Sequence, residues 1–261
     1  MLSKSRRQLI ERLKTRKGRP REGLVLVEGV RSTAEALAAG ADIRFWVQSP
    51  RLLDTEAGRA LASTLAGQGL EAEEVDDSDL DELSATEHPQ GILCVCTEPG
   101  LDLGHLGDRE PSRLLLLDGL QDPGNLGTLI RVARAFGVDA VIALDGSVDP
   151  WNPKAVRAAA GAGFHTSIVR ASWAEAHRWL EEQGIEILAA DPAGDDVRSF
   201  HPGDSWALAV GNEGAGLRAE IASASSRSIA IPMPGSAESL NAGVAGSILL
   251  YSLLTRGSVT P

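Results

Sequence analysis

Among the 261 residues no uninterrupted apolar run approaches the roughly 20 that a membrane-spanning helix needs, so no membrane span is expected. The N-terminus is basic from the outset with no apolar stretch behind its charges, which does not fit a secretory signal. Cysteine is scarce: Cys94 and Cys96 are the only two. Neither a second pair nor a histidine cluster accompanies them, so no metal site is expected. Alternating along one expected strand, they point to the same face, which suits reduced, buried thiols and a cytoplasmic location. The sequence also has no phosphate-loop lysine and no Gly-x-Gly-x-x-Gly fingerprint, which disfavours a nucleotide-dependent metabolic enzyme.

An excess of positive charge is missing too, since 25 Lys+Arg stand against 36 Asp+Glu for a net −11. The distribution is uneven, however. Residues 1–24 hold nine basic side chains (Lys4, Arg6, Arg7, Arg12, Lys14, Arg16, Lys17, Arg19, Arg21) against Glu11 and Glu22, a net +7 that leaves −18 for the remainder. A basic arm, residues 4–21, on an acidic body is the asymmetry expected where one face meets phosphate; the bland alternative is a solvated terminal helix. His88, His105, His165, His177 and His201 are scattered without evident partners and read as structural or surface residues. Trp151, Trp173 and Trp206 read as core, and Trp46 as either core or a base-stacking platform.

What is present is the composition of a soluble globular chain, 43% hydrophobic and 23% charged, long enough for two ordinary domains. After a first helix marked by Leu9, Ile10 and Leu13, strands near 24–27, 43–47, 70–75 and 92–96 alternate with helices near 30–39, 55–66 and 78–84. This alternation implies a small α/β layer with a largely parallel sheet. Glycines and prolines cluster over 97–112 (Pro99, Gly100, Gly104, Gly107, Pro111), giving a first domain of 1–100, a linker of 101–112 and a second domain of 113–261.

The second domain opens on Leu114–Leu117, a run suited to a strand buried on both faces. Strands near 138–144, 166–169, 185–190, 206–210 and 228–231 alternate with helices near 125–136, 152–160, 172–182, 215–224 and 240–255, again α/β. The last helix is apolar on most sides and is expected to be buried, against a second subunit if not its own core.

Three segments here hold more Gly, Pro, Asn and charge than turns require. Asp122-Pro-Gly-Asn-Leu-Gly-Thr128 joins a buried strand to a helix bearing Arg131, at the sheet edge where ligands bind. Free N–H groups at that helix start favour an anion, and Arg131 could hold a phosphate bidentately. Val210-Gly-Asn-Glu-Gly-Ala-Gly-Leu217 permits close backbone approach to a ligand, with Glu213 where it could face the site. Ile231-Pro-Met-Pro-Gly-Ser-Ala-Glu-Ser-Leu-Asn241 is a rigid, irregular loop in which Ser236 or Ser239 could cap the following helix.

Taken in order, Asn125-Leu-Gly with Arg131, Gly211-Asn-Glu-Gly, and Ile231-Pro-Met with Glu238-Ser-Leu-Asn241 resemble the three signature motifs of the SpoU (TrmH-like) branch of the SPOUT methyltransferases. One departure is Asn241-Ala-Gly-Val-Ala, where the family usually has Val after Asn, and it bears on local helix packing. Leu26-Val-Glu-Gly-Val30 and Gln90-Gly-Ile92 resemble, less specifically, a ribosomal-protein-like RNA-binding domain often fused to this family. The resemblance implies a parallel-sheet catalytic domain with a deep trefoil knot, which unknotted connection rules would not supply. It implies S-adenosylmethionine held largely by backbone at Gly211, Ile231 and Leu240, and a homodimer formed through the knotted domain. It implies methyl transfer to a ribose 2′-hydroxyl, with Arg131, Asn125, Glu213, Ser239 and Asn241 as catalytic positions. Large-subunit ribosomal RNA is the expected substrate; the alternatives are a tRNA 2′-O-methyltransferase and a ribosomal-RNA-binding protein without chemistry.

Overall fold

A computed structural model describes residues 2–107, 112–235 and 239–255. The chain forms two compact units, one of Met1–Gly100 with Trp151–His165, the other of Leu101–Pro150 with Thr166–Pro261.

In the first unit, α1 (Lys4–Leu13) starts at Ser3, whose hydroxyl accepts from the Arg6 N–H, and buries Ile10 and Leu13 on one stripe. The helix α2 (Arg19–Glu22) leads into β1 (Leu24–Glu28), α3 (Val30–Ala38) and β2 (Ile43–Gln48). Then come α4 (Glu56–Gly67), β3 (Ala72–Glu74), α5 (Asp77–Leu83) and β4 (Ile92–Thr97). The sheet order is β1-β4-β2-β3. The expectation of a largely parallel sheet fails here: only β2 and β3 pair in parallel, while β4 runs antiparallel to both β1 and β2. The βα repeats do keep β1, β2 and β3 pointing one way. The last strand then enters the gap between β1 and β2 from the opposite end, and alternation along the chain does not encode that insertion.

The core of this unit gathers Ile10, Leu13, Leu26, Phe45, Val47, Leu80, Leu83, Leu93 and Val95. Cys94 and Cys96 lie on one face of β4 as expected, both buried, with their sulfurs 3.8 Å apart. Contact with the Cys96 thiol, and then burial, holds the Cys94 thiol well above its ordinary pKa, so it stays protonated. Trp46 is core, 2% exposed, with its indole N–H donating to the Leu70 carbonyl at 3.1 Å. Much of the basic segment is engaged inside the unit. Arg7 pairs with Asp79 and Glu82, Arg12 with Glu22, Lys14 with Glu11, and Arg6 with Glu73. Arg19 is buried and donates to the Leu13 and Lys14 carbonyls. Lys4, Arg16, Lys17 and Arg21 make no ion pair among the described residues.

The second unit carries β5 (Arg113–Leu117), α6 (Pro123–Ala135) and β6 (Ala140–Leu144); the chain then supplies α7 (Pro153–Ala158) to the first unit. It continues with β7 (Ser167–Ala171), α8 (Trp173–Glu182), β8 (Glu186–Asp196), β9 (Trp206–Val210), α9 (Ala219–Ala224), β10 (Arg227–Ala230) and α10 (Ala242–Leu254). All six strands are parallel, in the order β10-β8-β9-β5-β6-β7. Leu114–Leu117 at its centre are 2% exposed or less, as strands covered on both faces require. The order reverses between β5 and β9, so the loops leaving their carboxyl ends flank a switch point, the place where such sheets take ligands.

The helix α10 packs on α6 through glycines: a Cβ on Gly246 would lie 2.6 Å from the Leu129 side chain. The unusual Asn241-Ala-Gly-Val-Ala run is thus accommodated by a close helix approach. Burial of α10 is one-sided. Leu249, Leu250 and Leu253 face the core, while Val244, Ile248 and Tyr251 are 37–56% exposed, as is Leu240 just before the helix at 36%. Trp151 and Trp206 are core as expected, whereas Trp173 is half-buried with its ring against His177. Histidines without evident partners in sequence have them in space: His105 with Asp102, His177 with Trp173, and His165 with Glu35. No helix among the described residues is long and apolar enough to cross a membrane.

Candidate active site

The site grows from the carboxyl end of β9. Gly211 is buried where two stretches of backbone meet; a Cβ there would lie 2.3 Å from the Gly216 carbonyl carbon and 2.4 Å from the Leu217 nitrogen. Only glycine fits that approach. Asn212 closes the loop by exchanging backbone hydrogen bonds with Gly216 at 2.9 and 3.0 Å. Its side-chain oxygen accepts from the N–H groups of Gly214 and Ala215, and its amide donates to the Gly119 carbonyl at 2.8 Å. Asp118, 1% exposed at the end of β5, accepts from the Arg218 backbone N–H at 2.8 Å and from its Nε at 2.6 Å. The loops after β5 and β9 are therefore laced together by side chains.

On the β5 side, Asp122 caps α6 by accepting from the Asn125 N–H, with Pro123 at the first helical position. The Glu213 carboxylate reaches across and accepts from the Gln121 and Asp122 N–H groups at 3.2 and 3.3 Å, and from the Asn125 side-chain amide at 2.9 Å. Burial pushes the Glu213 carboxyl up, but the Asn125 amide and the backbone donors outweigh it and hold the group below its ordinary value. A carboxylate held as an acceptor of three donors is a clamp between loops and a poor base.

The helix α10 is capped by Asn241, whose side-chain oxygen accepts from the Val244 N–H at 3.2 Å. The expected serine cap is not used at Ser239, because the helix starts at Ala242 and leaves Ser239 too early in the loop; Ser236 and Glu238 lie outside the described residues. A Cβ on Gly243 would lie 3.1 Å from the Asn125 side-chain oxygen and 3.2 Å from that of Asn241. Asn125, Glu213 and Asn241 thus converge on one border.

Behind that border lies a cavity of about 320 Å³. Main chain and side chains of 210–216 form one wall, Ile229–Ile231 with Met233 another, and Ser239, Leu240, Ala242, Ala245 and Leu249 a third. Ala190, Asp191 and Pro192 close it. Of the residues singled out in sequence, Gly211, Glu213, Ile231, Ser239 and Leu240 line the cavity, and Asn125 and Asn241 flank it. Arg131 stands apart, exposed on α6 and roughly 9 Å along the helix axis from Asn125, without hydrogen bond or ion pair among the described residues.

Sequence reasoning missed Asp118 and Arg218, although an acid directly after a four-leucine buried run was a visible signal. It also ended β8 at 190. The strand instead pairs with β10 at Leu188 and Ala189, makes an excursion over 190–194, and resumes pairing at Asp195. That excursion brings Asp191 and Pro192 to the cavity, and Gly194 lets the chain return, since a Cβ there would lie 2.5 Å from the Ser228 carbonyl carbon. No group of three or more His, Cys, Asp or Glu among the described residues is placed to hold a metal.

Residues 112–251 match the model of the SpoU rRNA Methylase family, and residues 6–94 that of the MRM3-like substrate binding domain. The chain is 34% identical over 244 residues to the 23S rRNA (guanosine(2553)-2'-O)-methyltransferase RlmP of Bacillus subtilis (strain 168), covering 93% of each. It is 32% identical over 246 residues to the 23S rRNA (uridine(2479)-2'-O)-methyltransferase of Streptomyces viridochromogenes, covering 92% of this chain and 85% of that one. Its fold matches the crystal structure of the SpoU methyltransferase AviRb from Streptomyces viridochromogenes in complex with the cofactor AdoMet, with a TM-score of 0.86, 29% identity and 99% of both chains covered.

Proposed function

This chain belongs to the SpoU rRNA methylase family, and we propose that it transfers a methyl group from S-adenosylmethionine to a ribose 2′-hydroxyl of large-subunit ribosomal RNA. The observation that carries this reading is the cavity. Its volume of about 320 Å³ falls at the small end of ligand sites, its walls are largely apolar, and Gly211 lets two stretches of backbone close together in one of them. Gly211, Ile231 and Leu240 would hold the cofactor. Asp191 and Glu213 put negative charge on the walls, the sign that suits a sulfonium. When bound, the cofactor would supply an activated methyl group to the ribose oxygen, its sulfur leaving as a neutral thioether.

Arg131 cannot serve readily as a base, because a guanidinium gives up its proton only above about pH 12. Its exposure and lack of a partner suit a fork that holds the phosphate beside the target ribose. The hydroxyl proton then passes to that phosphate. Glu213 fixes Asn125 at the border, and Ser239 and Asn241 orient the target nucleotide against the cavity mouth.

The rest of the assignment follows the same reading. Residues 1–100 bind the substrate RNA, 101–112 link, and 113–261 form the catalytic domain with its trefoil knot. The apolar row Val244, Ile248 and Tyr251 on α10, with Leu240 just before it, is covered by a second copy of the chain. Lys4, Arg16, Lys17 and Arg21 are the cations of the basic segment left to meet phosphate, and the reaction runs in the cytoplasm. Two measurements test the proposal. Calorimetric titration with S-adenosylmethionine should show binding, and absence of binding would favour a protein that only docks on RNA. Mapping ribose methylation in a strain lacking the gene should show one site lost from large-subunit ribosomal RNA; a loss confined to tRNA would reassign the substrate.

A further inference from the structure

The first unit contains a second concave region that the cavity chemistry does not use. It is an open cleft of about 610 Å³ bordered by Arg31, His88, Lys154 and Arg157, with Glu28 and Gln90 at its base. Three stretches far apart in sequence supply these side chains: the start of α3, the loop 84–91, and α7. All four are exposed, and none makes an ion pair or hydrogen bond through its side chain among the described residues. In a chain of net charge −11, these side chains gather on one concave surface.

The frame around these cations is fixed. Glu28, 6% exposed, accepts from the Ala85 N–H at 3.1 Å and from the Thr86 hydroxyl, so its charge is engaged in holding the rim. Gln90 accepts from the Val30 N–H at 2.8 Å, over Gly29 with its φ of 94°. The segment bearing Lys154 and Arg157 is closed by Trp151 against Phe164, ring centroids 5.3 Å apart. It is fastened to α3 at Gly161, where φ is 83° and a Cβ would lie 2.4 Å from the Glu35 Cβ. Ala160 beside it has φ of 50°, a left-handed backbone that non-glycine residues rarely take without compensating contacts. A strained segment held in place to present two unpaired cations is the arrangement of a binding surface. Glu87 is the one acid on the rim with no described partner, so positive charge predominates.

We infer that this cleft binds the phosphodiester backbone of the substrate RNA at a stretch separate from the methylated ribose. Spaced, exposed cations with no acid partner match a repeating anion, and they position a strand without reading its bases. The inference rests on the methyltransferase reading above.

The test uses the full-length chain and unmodified in-vitro-transcribed 23S ribosomal RNA. Filter binding across a salt series compares wild type with Arg31→Ala/Lys154→Ala/Arg157→Ala. A control of equal charge change, Arg44→Ala/Arg59→Ala/Arg178→Ala, lies outside the cleft. The cleft variant should bind about 10- to 100-fold more weakly, and its salt slope should fall by about 2, as expected for three lost phosphate contacts. The control should fall much less, and S-adenosylmethionine affinity should be equal in all three proteins. Equal losses in cleft variant and control, or no loss in either, overturn the cleft. So does full reversal of wild-type RNA binding by millimolar inorganic phosphate at constant ionic strength, which would mark a site for a small anion. If the triple variant misfolds by circular dichroism, the single Lys154→Glu is read on the same scale. Wild type that binds S-adenosylmethionine but not RNA sinks the cleft alone, whereas wild type that binds neither sinks the functional reading with it.

Discussion

The cavity of the second unit and the cleft of the first are both concave, yet they use their polar groups in opposite ways. Around the cavity several polar side chains are already occupied. Glu213 accepts three hydrogen bonds, Asn212 uses both ends of its amide, Asp118 takes two donors from Arg218, and Asp191 accepts from the Ala193 N–H. Saturated groups cannot reach for a ligand, so what the cavity offers is shape: closely packed backbone at Gly211 and apolar walls at Ile231 and Leu240. In the cleft the frame is saturated and the cations are not. A compact ligand is selected by a preformed space, with its ordering cost met in folding, while a flexible polyanion is held by charges that stay solvated until it arrives.

Destroying the cavity's shape should separate the two regions most sharply. Gly211→Val places a branched side chain against the Gly216 and Leu217 backbone, which cannot retreat as a flexible side chain would. Calorimetry should detect no S-adenosylmethionine binding, and Tm should fall, since overpacking of this kind costs about 1–3 kcal/mol. Affinity for 23S ribosomal RNA should stay within about twofold of wild type, because the cleft is untouched. Retained cofactor affinity would remove Gly211 from the cofactor wall. Arg131→Lys is the next largest. It keeps the charge and loses the fork, so kcat should drop about 100-fold with cofactor Kd unchanged; near-normal turnover sinks the bidentate role.

The same contrast explains what could be read from the residues. Backbone-shaped features leave a mark in sequence because only Gly and Pro satisfy them, and so the three loops at 122–128, 210–217 and 231–241 stood out. The parallel sheet of the second unit was equally legible, since Leu114–Leu117 and the runs after it repeat with helices between. What escaped has no local signature. The reversal of β4 belongs to its place between β1 and β2, which only the folded sheet defines. The excursion of β8 through Pro192 looks like a strand end, because proline removes a ladder donor. The cleft joins Arg31, His88, Lys154 and Arg157 only after residues 151–165 return to the first unit, and no composition shift marks that return. Chain threading is a global property, so the expectation of a knot comes from the family resemblance and not from spacing.

Asp118→Ala probes whether the cavity's saturation matters. It leaves the Arg218 backbone N–H and Nε without their acceptor, and the Arg218 side chain, 40% exposed, can recover only part of that from water. The expected cost is about 1–3 kcal/mol, read as a lower Tm. Cofactor affinity should weaken several-fold as the 211–218 loop loses its anchor, while the salt slope for ribosomal RNA stays at the wild-type value. A Tm loss with unchanged cofactor affinity would make the pair a fold element only.

The smallest effect is expected at Glu213, and its sign with pH is what makes it informative. The folded carboxyl sits below its ordinary value of 4.5, so the ionised form is the one the fold favours. Its contribution is therefore complete above the unfolded pKa and is lost as pH falls through the lowered folded value. Glu213→Gln keeps an oxygen for the Asn125 amide and removes the charge. The Tm difference between wild type and variant should be present at pH 7, hold down to about pH 5, and shrink on further acidification. A difference that persists unchanged in acid would mean that shape, and not charge, makes Glu213 the clamp. The border of the site would then follow the same rule as the cavity behind it.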